Sequence, residues 1–60
     1  MEIITRTANT TNGSLEIRLE NGIYKVITFN RFGDKKTESR YTDSKKAAAA
    51  FNRKKRTMIF

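Results

Sequence analysis

The fold is decided by residues 14–41, which read SLEIRLENGIYKVITFNRFGDKKTESRY. Asn21-Gly22 lies between two runs in which apolar and polar residues alternate. This pair favours a type I′ turn, because both central residues of that turn need positive φ. A two-residue loop fixes the register of the hairpin, so Arg18 is expected opposite Lys25.

A third strand is predicted over residues 35–41, after a turn at 30–34 that contains Gly33. A three-residue loop would turn charged side chains toward the core, namely Lys36, Glu38 and Arg40. A four-residue loop would instead turn the uncharged side chains inward, namely Thr37, Ser39 and Tyr41. Burial of charge is costly, so the four-residue loop is favoured and Arg40 is expected opposite Lys25.

The predicted sheet has two unlike faces. One face is largely apolar and is expected to form the core: Leu15, Ile17, Leu19, Tyr24, Val26 and Thr28. The other face mixes charged and apolar side chains: Glu16, Arg18, Lys25, Ile27 and Phe29. The functional interpretation depends on this second face.

The segments on either side complete one α+β domain over residues 1–60, a three-stranded or four-stranded antiparallel meander with one C-terminal helix. Residues 43–55 are predicted as the helix, with Thr42 or Asp43 as N-cap. Its buried face is expected to carry four residues at helical spacing: Ala47, Ala50, Phe51 and Lys54. Residues 1–13 are expected to hold an extra strand at 2–8, with Ile3 or Ile4 turned inward, and a loop at 9–13. Residues 56–60 are expected to be a tail.

Composition favours a polyanionic partner and argues against catalysis. Thirteen Lys and Arg residues stand against six Asp and Glu, giving a net charge of +7. The chain has no His or Cys, so the usual zinc and haem ligands and the Ser-His or Cys-His nucleophile pairs are missing. We therefore expect no enzyme and no cofactor. No signal peptide or membrane-spanning run is visible, so we expect a cytoplasmic protein, in the host cytoplasm if it is phage-encoded.

The main candidate site is a row of three cations across neighbouring strands: Arg18, Lys25 and Arg40. Like charges directly opposite each other destabilise a sheet, so the row suggests a compensating anion such as a phosphate backbone. The alternative is a solvated face on which Lys and Arg stems cover Ile27 and Phe29.

Two further basic segments are candidates. The turn carries Arg31, Phe32, Lys35 and Lys36, and an exposed Phe32 would stack on a base or wedge at a groove edge. The favoured alternative is a turn whose Phe32 folds over the end of the core. The helix end, including Arg53 and Lys54, would contact phosphate or simply complement the helix dipole.

The order of elements resembles a known family. The second strand begins Gly22-Ile23-Tyr24-Lys25-Val26, the third ends Arg40-Tyr41-Thr42, and the helix contains the run from Lys46 to Phe51, KAAAAF. Over roughly residues 14–52 this resembles the N-terminal DNA-binding domains of phage and transposon tyrosine integrases, and the related AP2-type domains. The resemblance implies a sheet face in the major groove of DNA. It departs from the family in its extra N-terminal segment and in having no Trp.

The expected function is non-enzymatic binding of double-stranded DNA by the basic sheet face. Phosphate contacts would come from Lys35, Lys36 and residues 53–56, and base contacts from Arg18 and Arg40, since arginine pairs bidentately with guanine. The alternatives are an inhibitor-like interaction module of a phage or mobile element that binds an acidic protein, and an RNA-binding domain. In the RNA case Phe29 and Phe32 would stack on bases. Monomer and homodimer both remain open, and no membrane partner is expected.

Overall fold

A computed structural model, which describes residues 2–58, shows one antiparallel sheet followed by one helix. The four strands lie side by side in chain order. The elements are β1 Ile3–Thr10, β2 Gly13–Glu20, β3 Ile23–Asn30, β4 Lys35–Tyr41 and α1 Ser44–Met58. The predicted α+β meander is confirmed, in its four-stranded form.

The β2–β3 hairpin has the predicted turn and register. Asn21 has a φ of 52° and Gly22 a φ of 78°, as the type I′ turn requires. Arg18 consequently pairs with Lys25, and the alternation places one apolar face toward α1.

The tip of the β3–β4 hairpin is tighter than predicted. The amide of Asn30 donates to the carbonyl oxygen of Asp34 at 2.9 Å, which closes a loop of three residues. The Asn30 side-chain oxygen accepts from the amides of Phe32 and Asp34 at 2.9 and 3.0 Å. Gly33 takes a φ of 88°, the left-handed position that the sequence indicated.

A β-bulge then restores the predicted register. Thr28 pairs with Thr37 but Phe29 pairs with Lys35, so Lys36 is the extra residue on β4. From Thr37 onward the uncharged residues face α1 as expected. The faces of β4 are therefore those predicted from the cost of burying charge. A three-residue loop and the one-residue bulge together give the register that was expected from a four-residue loop.

The N-terminal strand is longer than predicted. It extends to Thr10, and Gly13 already belongs to β2, so the expected loop over residues 9–13 shrinks to a two-residue turn. Ile3 pairs with Leu19 and so shares the inward face, whereas Ile4 pairs with Arg18 on the other face. Neither is buried, since their exposed fractions are 52% and 54%. Gly13 has a φ of 143°, and a Cβ there would run into the carbonyl oxygen of Phe29. This close approach of two backbones explains the glycine.

The helix begins as predicted but ends three residues later than expected. The Asp43 carboxylate accepts from the amide of Lys45 at 2.9 Å, so Asp43 rather than Thr42 is the N-cap. The last turn reaches Met58, whose carbonyl oxygen accepts from the Asn12 side chain at 2.7 Å. The part of the predicted tail after Met58 lies outside the described residues.

The core lies between α1 and the inward face of the sheet. Its buried residues come from β2, β3 and α1: Leu15, Ile17, Val26, Ala47, Ala50, Phe51 and Met58. Small alanines let the helix approach the sheet closely, while Phe51 supplies the largest side chain on its inner face. Within residues 2–58, no helix is long and apolar enough to cross a membrane.

Candidate nucleic-acid interface

The sheet face turned away from α1, called the open face below, carries the predicted row of cations. Arg18 pairs with Lys25, and Lys25 pairs with Arg40 on the next strand. The three side chains are therefore neighbours on consecutive strands, as the two turns predicted.

Carboxylates lie between these cations. Glu16 and Glu38 share the face with the row, as the alternation of the strands predicts, and Glu2 and Glu20 add to them. Arg18 forms ion pairs with Glu16 on its own strand and with Glu2, at 3.0 Å from the latter. The Lys25 ammonium lies 3.0 Å from a Glu20 carboxylate oxygen and 3.7 Å from Glu2. The residue Glu2 comes from the chain just before β1 and bridges two members of the row.

On β4, the cations of the open face are likewise paired with a carboxylate. The Glu38 carboxylate binds Lys35 at 2.7 Å through one oxygen and Arg40 at 3.1 Å through the other. Both hydrogen bonds lower the pKa of Glu38, and the bond from Lys35 has the larger effect. Like-charge repulsion along the row is thus relieved within the protein.

The pair Lys25–Glu20 shows the same mutual stabilisation. The hydrogen bond from Lys25 lowers the pKa of Glu20, and the same bond raises the pKa of Lys25. The two directions agree, since each group favours the charged form of its partner.

Under this layer of charges lies one apolar side chain. Ile27 points to the open face, yet only 5% of its surface is exposed. Glu16 and Glu38 flank it on the two neighbouring strands. Burial of Ile27 is what the alternative interpretation of a solvated face expects, although the residues directly opposite it are glutamates and not the Lys and Arg stems named there.

Charge is strongly segregated between the two sides of the protein. On the open face, Arg18, Lys25, Lys35 and Arg40 balance four glutamates, at positions 2, 16, 20 and 38. The other nine cations lie elsewhere: Arg6, Arg31, Lys36, Lys45, Lys46, Arg53, Lys54, Lys55 and Arg56. Only two carboxylates accompany them, Asp34 and Asp43. The entire net charge of +7 thus belongs to surfaces outside the open face.

The largest share of this charge is on α1. The helix holds six Lys and Arg residues and no Asp or Glu. Five of the six are exposed and form what we call the basic helix surface: Lys45, Lys46, Arg53, Lys55 and Arg56. The predicted site residues on the helix lie at its end, and the pair Lys45-Lys46 at its start was not among them.

Lys54 differs from its neighbours on the helix. Its ammonium donates to the hydroxyls of Thr37 and Ser39 on β4, at 3.3 and 3.2 Å. It therefore reaches toward the sheet, on the inner side where its helical spacing with Ala47 and Phe51 placed it. These two hydrogen bonds link α1 to β4.

The hairpin tip presents an exposed aromatic side chain. Phe32 is 80% exposed, so the favoured expectation that it folds over the end of the core is wrong. The Arg31 guanidinium lies 5.8 Å from the centre of its ring. Lys36 was expected on the sheet face away from the core, with Phe29, but the bulge makes Lys35 the partner of Phe29. Lys36 instead lines a groove together with Met58.

Arg6, which was not among the predicted site residues, is a further cation near the helix. It lies on the inner side of β1, with its guanidinium 5.6 Å from the centre of the Phe51 ring. This contact covers the edge of the core and adds a cation to the helix side of the molecule.

The described part of the chain offers no metal centre, since residues 2–58 contain no group of three carboxylate, His or Cys side chains suited to one. No protein-family model matches the chain, and comparisons with curated proteins and with solved structures find no match either. The resemblance to integrase and AP2-type domains consequently stays a prediction.

Proposed function

We propose that this protein binds double-stranded DNA without catalysis, and that the basic helix surface makes the phosphate contacts. The observation that carries the proposal is the segregation of charge, which places the whole excess of +7 outside the open face. A polyanion approaching from the helix side meets five exposed cations on α1. Because the helix contains no Asp or Glu, no negative charge on it would repel the polyanion.

The dimensions of the helix suit such contacts. Fifteen residues at 1.5 Å each give a length of about 22 Å. B-DNA carries one phosphate charge per about 1.7 Å of axis, so several phosphates lie within reach of the cations along α1. Contacts of this kind position the protein on the duplex and carry no base specificity.

The open face supports binding less well. A duplex laid on it would place phosphates near four glutamates, and Arg18 would have to leave Glu2 and Glu16 to read a base edge. Each such pair broken subtracts from the binding free energy. The sheet-face mode that the integrase and AP2-type resemblance implies is therefore the competing mode in the test.

The test is fluorescence anisotropy of a labelled duplex across a range of salt concentrations, with two matched sets of variants. Arg53→Gln and Arg56→Gln remove charge from the basic helix surface, and Arg18→Gln and Arg40→Gln remove the same charge from the open face. We expect only the helix variants to weaken binding. Each should also make the log–log salt slope shallower by about 0.9, the counterions released per phosphate neutralised.

Two results would overturn this proposal. If the open-face variants lose affinity while the helix variants bind as the parent does, the sheet face contacts the DNA. If the parent shows no salt-dependent binding to any duplex, the partner is not DNA. RNA and an acidic protein would then be the alternatives to examine.

A further inference from the structure

Hydrogen bonds at the tip of the β3–β4 hairpin fix the backbone that carries Phe32. Two main-chain hydrogen bonds close the loop, from Asn30 to Asp34 at 2.9 Å and from Gly33 to Asn30 at 3.0 Å. The Asn30 side-chain oxygen accepts two more hydrogen bonds, from the amides of Phe32 and Asp34. These four hydrogen bonds define the backbone conformation of the turn, and one of them holds the amide of Phe32 itself.

The Phe32 side chain contributes little burial of apolar surface to the stability of the fold. It is 80% exposed, the most exposed of the large apolar side chains in the described chain, and it lies outside the core cluster. Among the described residues, the cation over its ring is the Arg31 guanidinium, 5.8 Å from the ring centre. An aromatic ring held in water beside a cation is the arrangement by which proteins stack on nucleobases.

The tip is continuous with the basic side of the molecule. A single groove is lined by tip residues and by the last turn of α1: Asn30, Arg31, Phe32, Lys36, Thr57 and Met58. Thr57 directly follows Arg56, the last member of the basic helix surface. A phosphate backbone held by α1 would therefore run past the apex of the hairpin.

We propose that Phe32 stacks on an unpaired nucleobase while the basic helix surface holds the phosphates that flank it. This inference rests on the proposed function and adds a preference to it. In a regular duplex every base face is already stacked, so Phe32 has no face to occupy. At a bulged base one face becomes free, and stacking on an aromatic side chain tolerates any base.

The test compares three DNAs of equal length and ionic conditions: a continuous duplex, the same duplex with one bulged base at its centre, and the corresponding single strand. The parent should bind the bulged duplex about tenfold more tightly than the continuous one, within the range measured for stacking of one base. Phe32→Ala should bind both duplexes equally, at the affinity of the parent for the continuous duplex.

A second variant reports the contact directly. Phe32→Trp preserves the stacking surface and introduces the only Trp of the chain. Its fluorescence should be quenched by the bulged duplex and remain unchanged with the continuous duplex. Because Phe32 is exposed, both variants should melt as the parent does, which is the control for folding.

The outcomes separate the two proposals. If the parent binds both duplexes with the same salt-dependent affinity, or if Phe32→Ala keeps the preference for the bulge, the stacking inference fails and the phosphate-binding proposal stands. An unquenched Phe32→Trp has the same meaning. If the parent binds none of the three DNAs, both proposals fail.

Discussion

Lys25 lies at the centre of the open face, between Arg18 and Arg40 on the neighbouring strands. Considered from the sequence alone, its removal should relieve repulsion and leave stability unchanged or raised. The structure reverses that expectation, because Glu20 and Glu2 surround the ammonium. Removal of the cation would leave these two carboxylates facing each other with less compensation.

We therefore expect Lys25→Gln to lower the melting temperature at low salt. Thermal melts at low and at 1 M salt would check this, since a Debye length of about 3 Å at 1 M should screen the exposed ion pairs and shrink the difference. A double-mutant cycle with Glu20→Gln isolates the pair itself. A variant that melts at or above the parent at low salt would restore the argument from repulsion.

Phe51 is the large anchor of the helix. It is only 2% exposed and belongs to the core cluster with Leu15 and Val26, as the helical spacing predicted. The Arg6 guanidinium lies over its ring, 5.6 Å from the ring centre. Truncation would leave a cavity that the sheet and the short alanine side chains of α1 are poorly placed to fill.

Phe51→Ala should accordingly cost about 3–5 kcal/mol. A 60-residue domain has only about 3–9 kcal/mol in total at the usual stability per residue, so the variant should be largely or wholly unfolded. Circular dichroism during urea unfolding gives the measurement. Phe32→Ala is the matched control, because the same change at an 80% exposed position should leave the midpoint unchanged. Equal midpoints for the two variants would place the helix anchor elsewhere.

At the scale of the elements, α1 has an unfavourable start. Its first turn contains Lys45 and Lys46 and no acidic residue, although the helix dipole favours negative charge there. Asp43 offsets this in part, since its carboxylate accepts from the amide of Lys45 and lies beside both cations in sequence. The N-cap should therefore matter more for this helix than for one with acidic residues in its first turn.

Asp43→Ala should destabilise the protein by about 1 kcal/mol, the usual cost of losing an N-cap. Asp43→Asn keeps the hydrogen-bond acceptor and removes only the charge, so it should retain most of the parental stability. Urea denaturation of the three proteins measures both effects. Equal losses in the two variants would show that charge, and not the hydrogen bond, is what Asp43 contributes.

The elements also show which features were readable in the sequence. Asn21-Gly22 determines one register by its backbone preference, and the cost of buried charge determines the faces of β4; both predictions are confirmed. The ends of β1 and α1 depend on tertiary contacts instead. Gly13 packs against the backbone of Phe29, and the Asn12 side chain caps the carbonyl of Met58, 46 positions away. Local patterns carry no signal for such contacts.

For the molecule as a whole, the open face is neutral only while its carboxylates are ionised. The row of cations on this face could be predicted from the sequence, and Glu16 could be placed beside it, whereas the ion pairs of Glu2 could not. Glu2 reaches Arg18 and Lys25 only after β1 has paired with β2. Because the four glutamates cancel the four cations of the open face, the excess positive charge lies on the rest of the surface.

This dependence predicts a loss of stability in acid. The pKa values of Glu20 and Glu38 are lowered in the folded protein by hydrogen bonds from Lys25 and Lys35, respectively. Below the ordinary glutamate pKa of about 4.3 the unfolded chain takes up protons before the folded one does. The stabilisation is therefore complete above that pH and is lost as the pH falls through the lowered folded values.

Melting temperatures should consequently hold steady from pH 7 to about pH 5 and fall steeply below pH 4. In that range the open face loses its negative charge, and the side chains approach a total of +13 as all six carboxylates become protonated. The matched variant is Glu20→Gln/Glu38→Gln, which should melt lower at pH 7 and show a shallower decline toward pH 3. If parent and variant decline in parallel, the acid sensitivity arises from general charge repulsion. The glutamates of the open face would then not be the groups whose protonation destabilises the fold.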